Sequence, residues 1–136
     1  MPELGKSLGE ELIIPTKIYS DTICRIHRDI PILGLAHITG GGIGDNILRI
    51  IPKSCNVVIR KGSWDVPPVF PFLQQAGKIS EKEMLRTFNN GIGMIIVLSK
   101  EVAGDVLERL IAMGEKSYII GEIVERKKSD SRIEWL

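Results

Sequence analysis

The chain lacks an excess of charge of either sign. Its 136 residues carry 18 Lys plus Arg against 17 Asp plus Glu, a formal charge of +1, so no bulk field draws it to nucleic acid or anionic lipid. Recognition of a charged ligand therefore has to be local. Cysteine is scarce as well. The two cysteines, Cys24 and Cys55, fit no metal-ligand spacing and are expected to be free thiols in a reducing compartment. No apolar run approaches the roughly 20 residues of a membrane span, and the start, Met1-Pro2-Glu3-Leu4-Gly5-Lys6, has no apolar signal core. These absences predict a soluble, cytoplasmic protein with neither a nucleic-acid nor a membrane partner. The letters Gly-Lys-Ser and Gly-x-Ser-x-Gly occur in Gly5-Lys6-Ser7-Leu8-Gly9, in a polar stretch rather than after the apolar strand that a P-loop or a nucleophile elbow needs, and there is no His-Glu-x-x-His helix and no Asp/Glu cluster suited to the octahedral shell of magnesium.

What is present is an ordinary globular composition, 43% hydrophobic and 26% charged, in a length that supports a hydrophobic core without staples. No repeat, low-complexity tract or linker divides it. Residues 1–11 are polar and glycine-punctuated and hold no folded unit, so they are expected to be an amino-terminal extension or the remnant of an interdomain segment, with the domain running from 12 to 136. Pro15 pushes Ile14 toward extended geometry, so Pro15 to Tyr19 is expected to be an extended entry or edge strand. Ser20 or Asp21 is placed to cap a helix to about Asp29, with Ile23, Ile26 and Ile30 on its buried side and His27 on its polar one. Ile32 to Ile38 predicts a strand covered on both faces.

That strand leads into Gly34-Leu35-Ala36-His37-Ile38-Thr39-Gly40-Gly41-Gly42-Ile43-Gly44-Asp45-Asn46-Ile47. The stretch reads as strand, tight loop and helix start, with Ile43, Ile47, Leu48 and Ile51 marking the helix face before Pro52. Glycines let backbone N–H groups approach a ligand, and a helix start adds a partial positive charge, so an anion is the natural guest. The same glycines equally suit a turn with no ligand. Asp45 favours the helix dipole but repels a phosphate placed too close, which would shift a ligand toward the His37 side.

Cys55 to Lys61 predicts the next strand, followed by the loop Gly62 to Pro68 and a helix from Pro68 ended by Gly77. Ser80 and Glu83 form a capping-box pattern for a second helix with Met84, Leu85 and Phe88 inward. Asn89-Asn90-Gly91 then signals a turn before Ile92 to Leu98, expected to be the central strand. Lys100 to Met113 has apolar residues three and four apart and predicts a helix, with Gly114 as its stop. Tyr118 to Val124 comes next as a strand, with Arg132 to Leu136 beside it as a short edge and Arg126 to Ser131 as a solvated turn. Uneven alternation of strands and helices predicts an α+β, layered α/β domain with a mixed sheet.

Several side chains stand out as chemical candidates. His37 ends an apolar strand and is either a core histidine bonded to backbone or a donor or proton-transfer group at the sheet's edge. Trp64 is either packed on the core or placed to stack on a heterocycle. Asn89 and Asn90 are turn formers or present amides to a polar substrate.

The combination of Gly34-Leu-Ala-His37-Ile-Thr39-Gly40-Gly41-Gly42, Asn46-Ile-x-Arg49-x-x-Pro52, Gly62-Ser-Trp64 with Pro68 and Phe70, and Glu83-Met-x-Arg86-Thr-Phe-Asn89-x-Gly91-Ile-Gly-Met94 closely resembles the phosphoribosylformylglycinamidine cyclo-ligase family, also called aminoimidazole ribonucleotide synthetase. Leu12-x-x-Pro15-Thr-x-Ile-Tyr19 and Ile120-Gly121 extend the similarity over nearly the whole chain. The resemblance covers the carboxyl-terminal half of that family. It implies a three-layer α/β/α domain with a mixed sheet, and an ATP-dependent ligase of purine biosynthesis that is a homodimer in its full length. The implied substrate is a ribonucleotide, with ATP and magnesium held mainly by a missing amino-terminal ATP-binding domain; the isolated chain is accordingly expected to be inactive. Carried onto this sequence, the resemblance implies catalytic roles for His37 and Asn89. It implies substrate-binding roles for Thr39, Gly40, Gly41, Gly42, Asn46, Trp64, Arg86 and Gly91, with Arg86 and Arg49 as anion partners or structural ion pairs. A related small-molecule phosphorylating enzyme, such as a selenophosphate synthetase or thiamine monophosphate kinase, is the alternative that the Glu83 to Met94 run disfavours. A non-catalytic module binding an anion or a partner chain is the other.

Overall fold

The computed structural model describes residues 5–126 and 131–136. In chain order these form α1 (Leu8–Leu12), α2 (Ser20–Asp29), β1 (Gly34–His37), α3 (Gly42–Leu48), β2 (Cys55–Ile59), α4 (Val69–Gly77), α5 (Glu81–Thr87), β3 (Met94–Val97), α6 (Lys100–Ala112), β4 (Gly121–Glu125) and β5 (Ile133–Trp135). This is an α+β fold with a mixed sheet. β2 lies between β4, its antiparallel neighbour, and β5, which runs parallel to it. β1 and β3 make a separate antiparallel ribbon in which His37 faces Met94 and Leu35 faces Ile96.

Alternation along the ribbon decides what each face meets. Ala36, Ile95 and Val97 turn toward the main core, where Ile38, Ile43, Ile47, Val57, Ile59 and Trp64 are buried. α3 supplies Ile43 and Ile47, each worth about 1.5–3 kcal/mol of burial, and thereby joins the ribbon to β2. A second cluster of Ile26, Ile30 and Val106 joins α2 to α6. α2 also flanks the opposite side of the ribbon, where Ile23 lies beside Leu35 and Met94. Helix, strand and helix layers result.

Several expectations are corrected. The ribbon is not buried on both faces: Ala36 is 4% exposed but Leu35 is 39% exposed, and β3 pairs with β1 alone rather than sitting at a sheet centre. The apolar run of Ile92 to Leu98 therefore reflects contact with two different layers, not enclosure between strands. Before Leu12 a short helix was not foreseen. α1 forms on a complete capping box, with Ser7 Oγ accepting from the Glu10 N–H and Glu10 accepting from the Ser7 N–H. The box predicted at Ser80 is only half made, because Ser80 Oγ accepts from the Glu83 N–H while the Glu83 carboxylate accepts from Thr87 instead. Pro15 to Tyr19 pairs with no strand, and α2 begins after Tyr19 with no side-chain cap. The residue that ends α4 in the left-handed region is Lys78, not Gly77. α6 spans the expected segment, yet Ile111 is 56% exposed, one position past the buried stripe. The final strand joins β2 on the side away from β4, so it does not lie beside its predecessor. Of the basic turn 126–131, residues 127–130 lie outside the described residues. Cys24 and Cys55 are free thiols.

Candidate functional site

A cleft of about 420 Å³ opens where β1 ends, within the usual size of small-molecule sites. His37 at the end of β1 forms one wall together with Ile38 and Thr39; the second is the turn before β3, with Asn89, Gly91 and Gly93; the third is the extended segment bearing Ile14, Thr16, Lys17 and Tyr19. Pairing fixes the first two walls to each other, because the Ile38 N–H donates to the Gly93 carbonyl at 2.9 Å.

The turn is built by its two asparagines, which do different work. Asn90 takes a left-handed conformation (φ 49°) and is 7% exposed. Its amide donates to the carbonyls of Met84 and Phe88, both at 3.2 Å, and its own carbonyl accepts from Trp64 Nε1 at 2.9 Å. Asn89 Oδ1 accepts from the Gly91 N–H at 3.0 Å, an Asx turn that leaves the Asn89 NH2 group to face the cleft as a donor. His37 is an exposed residue of the cleft wall rather than a core histidine. The Tyr19 ring lies against it, with centroids 6.1 Å apart and planes at 60°.

The triglycine loop is held from inside. Asn46, 5% exposed, donates to the carbonyls of Thr39 and Gly40 at 3.3 Å and of Gly42 at 2.8 Å. Gly41 and Gly42 both have positive φ, and a Cβ at Gly42 would overlap the Leu85 carbonyl oxygen and lie 3.0 Å from that of Phe88. The close approach of α3 to α5 thus requires glycine there. A Cβ at Gly41 would meet Asp45, 3.1 Å from its carboxylate oxygen. The carboxylate sits against the start of α3, and the cleft lies on the His37 side of the loop.

Of the residues expected at the site, His37, Thr39, Asn89 and Gly91 line one cleft. Gly40, Gly41 and Gly42 lie beside it and do not line it. Asn46 is the buried brace of the loop, and Trp64, 7% exposed, is packed rather than available for stacking. Arg86 projects from α5 with its side chain 72% exposed, paired with Glu83 at 3.9 Å, and Arg49 is exposed beyond the end of α3. Neither reaches the cleft. Thr16, Lys17, Tyr19 and Gly93 were not foreseen, although the pattern Leu12-x-x-Pro15-Thr-x-Ile-Tyr19 names Thr16 and Tyr19 and the Glu83 to Met94 run contains Gly93.

Lys17 is not a free cation. It pairs with Glu115, which also accepts from Thr22 Oγ1 at 2.9 Å. The Lys17 hydrogen bond, ahead of that from Thr22, holds the Glu115 carboxyl below the ordinary carboxylate range against an opposing effect of burial. A folded-state pKa below the unfolded one means that this stabilisation is complete above the unfolded pKa and is lost as pH falls through the folded one. Glu115→Gln is therefore expected to shrink the fall in Tm on acidification below the ordinary carboxylate range. An unchanged acid limb in a thermal melt series would show that the tie between the cleft wall and the end of α6 is not made.

Among the described residues no group of three or more His, Cys, Asp or Glu could hold a metal ion, and no helix is long and apolar enough to cross a membrane. The unpartnered polar groups that converge on the cleft are hydroxyls, an imidazole and an amide NH2. Such a lining suits ligand oxygens.

Residues 2–134 match the family described as AIR synthase related protein, C-terminal domain. A curated relative from Desulfatibacillum aliphaticivorans, named phosphoribosylformylglycinamidine cyclo-ligase, is 53% identical over 98% of this chain and 38% of its own length. One of the same name from Thermoanaerobacter sp. (strain X514) is 50% identical over 92% of this chain and 37% of its own. The chain thus spans less than two fifths of the length of these relatives. The crystal structure of E. coli HypE is similar in fold, with a TM-score of 0.68 and 23% identity over 94% of this chain and 40% of that one.

Proposed function

The chain belongs to the family of AIR synthase related proteins, C-terminal domain, and from that membership we propose that it is the substrate-holding part of an ATP-dependent phosphoribosylformylglycinamidine cyclo-ligase. The observation that carries this is the meeting of His37, Thr39, Asn89 and Gly91, drawn from motifs about 50 residues apart, in one cleft. In the proposed reaction ATP converts the formyl oxygen of formylglycinamidine ribonucleotide into a phosphate ester. Attack by the substrate nitrogen then closes the imidazole ring, giving aminoimidazole ribonucleotide, ADP and phosphate.

The chain's own residues have to hold a flexible substrate in near-attack geometry and offer donors to its oxygens. Thr39, which lines the cleft next to the glycine loop, anchors the ribose 5′-phosphate. Asn89, its Oδ1 spent on Gly91, presents only N–H donors and suits the formyl oxygen. His37, held between Tyr19 and the ribbon end, orients the amidine. The described residues do not offer a magnesium shell. In this proposal the metal and most nucleotide contacts fall to the remaining part of a longer protein, which also forms the homodimer.

Joining this chain to the amino-terminal part of a relative, in place of that relative's matching segment, tests the proposal. ATP-dependent formation of aminoimidazole ribonucleotide by the chimaera, and none by the isolated chain, is the expected result. A correctly folded chimaera without turnover would overturn it.

A further inference from the structure

Tyr19 belongs to neither the strand end nor the turn that carry the proposed reaction, yet it lines the same cleft, with its hydroxyl beside Gly93. Two features fix it there. The ring lies tilted against His37 at 6.1 Å. The hydroxyl occupies the space that a side chain at Gly93 would need: a Cβ built on Gly93 would overlap the hydroxyl oxygen and stand 3.0 Å from the ring carbon that bears it. Gly93 has no positive φ that demands glycine. The missing side chain is therefore a matter of room for the phenol. Packing alone would be served by phenylalanine, and among the described residues the Tyr19 hydroxyl finds no hydrogen-bond partner.

The neighbouring groups show what kind of atom this hydroxyl meets. The one lysine in the lining is neutralised by Glu115, and no carboxylate lines the cleft. A donor beside the Asn89 NH2, Thr39 and His37 completes a set matched to ligand oxygens.

We infer that Tyr19 is a substrate-positioning residue whose hydroxyl donates to an oxygen of the ribonucleotide, with Gly93 keeping open the space that lets it do so. This rests on the cleft being the ribonucleotide site. The extended segment from Ile14 to Tyr19 is then a working wall of the site, and the tie from Lys17 to Glu115 sets its position.

Steady-state kinetics on the chimaera test it. Tyr19→Phe keeps the ring and removes the donor, and is expected to raise KM for the ribonucleotide about tenfold with little change in kcat, the usual scale for one hydrogen bond to a polar ligand. Gly93→Ala pushes the hydroxyl aside and is expected to raise KM similarly. The double variant is expected to be no worse than either single one, since the atom that collides is gone. Competition by the dephosphorylated nucleoside locates the acceptor. If Tyr19→Phe weakens it too, the hydroxyl serves an oxygen of the ribose or the formylglycinamidine part; if not, the phosphate. Absence of turnover in the unsubstituted chimaera overturns both the site and this inference. Turnover with an unchanged KM in Tyr19→Phe overturns this inference alone, as would additive losses in the double variant.

Discussion

Gly42→Ala is expected to destabilise the protein by at least about 3 kcal/mol, enough to unfold a marginal domain. Two independent penalties combine. The residue sits at φ 61°, in the left-handed region, and its Cβ would overlap the Leu85 carbonyl oxygen across the α3–α5 contact. A carbonyl of a helix end cannot swing away as a side chain can. Two positions earlier, Gly40 has no positive φ and nothing within 4 Å of a built Cβ, so Gly40→Ala should change stability by less than about 0.5 kcal/mol. Urea unfolding of the two variants reads the contrast directly. Equal stability would mean that α3 does not approach α5 as described. The comparison also separates two uses of the triglycine loop, since the third glycine serves packing whatever ligand binds nearby.

His37→Ala in the chimaera is expected to lower kcat/KM about 100-fold, the scale of misplacing a reacting group, while unfolding stability changes by less than about 0.5 kcal/mol. The combination comes from where the ring is. His37 is exposed, it contributes nothing to the core, and its neighbours are Tyr19 and the cleft. A core histidine would behave in the opposite way, losing stability and activity together. Activity equal to that of the unsubstituted chimaera would remove His37 from the site.

Local signals read well where one element decides the outcome. The three-and-four spacing from Lys100 to Ala112 and the proline stop after α2 needed no tertiary information, and α2, α5 and α6 lie where they were expected, whereas α3 ends at Leu48, short of Ile51 and Pro52. The Ser7-x-x-Glu10 box was as legible as the one at Ser80, and it is the former that closes fully. Whether Glu83 returns to its cap or turns to Thr87 depends on competing partners that a pattern does not rank.

What a strand packs against is a tertiary outcome. Ile32 to Ile38 and Ile92 to Leu98 read as enclosed strands because they are mostly apolar, but they form a two-stranded ribbon whose residues divide between two layers. The site shows the same division. Motif positions picked out His37, Thr39, Asn89 and Gly91 without telling ligand-facing residues from braces. Asn46 and Trp64 turn out to hold the loop and the turn from inside. Tyr19 was visible as part of a motif, but only the folded chain brings it onto Gly93, more than 70 residues away.

Every role proposed for these residues depends on ligand being held on the His37 side of the triglycine loop. Titrating ribose 5-phosphate into the isotope-labelled chain while following amide resonances tests this most directly. Saturable shifts are expected at Thr39, Gly91, Gly93 and the side-chain NH2 of Asn89, with Arg86 unmoved. Shifts confined to α5 around Arg86, or none at millimolar ligand, would contradict it.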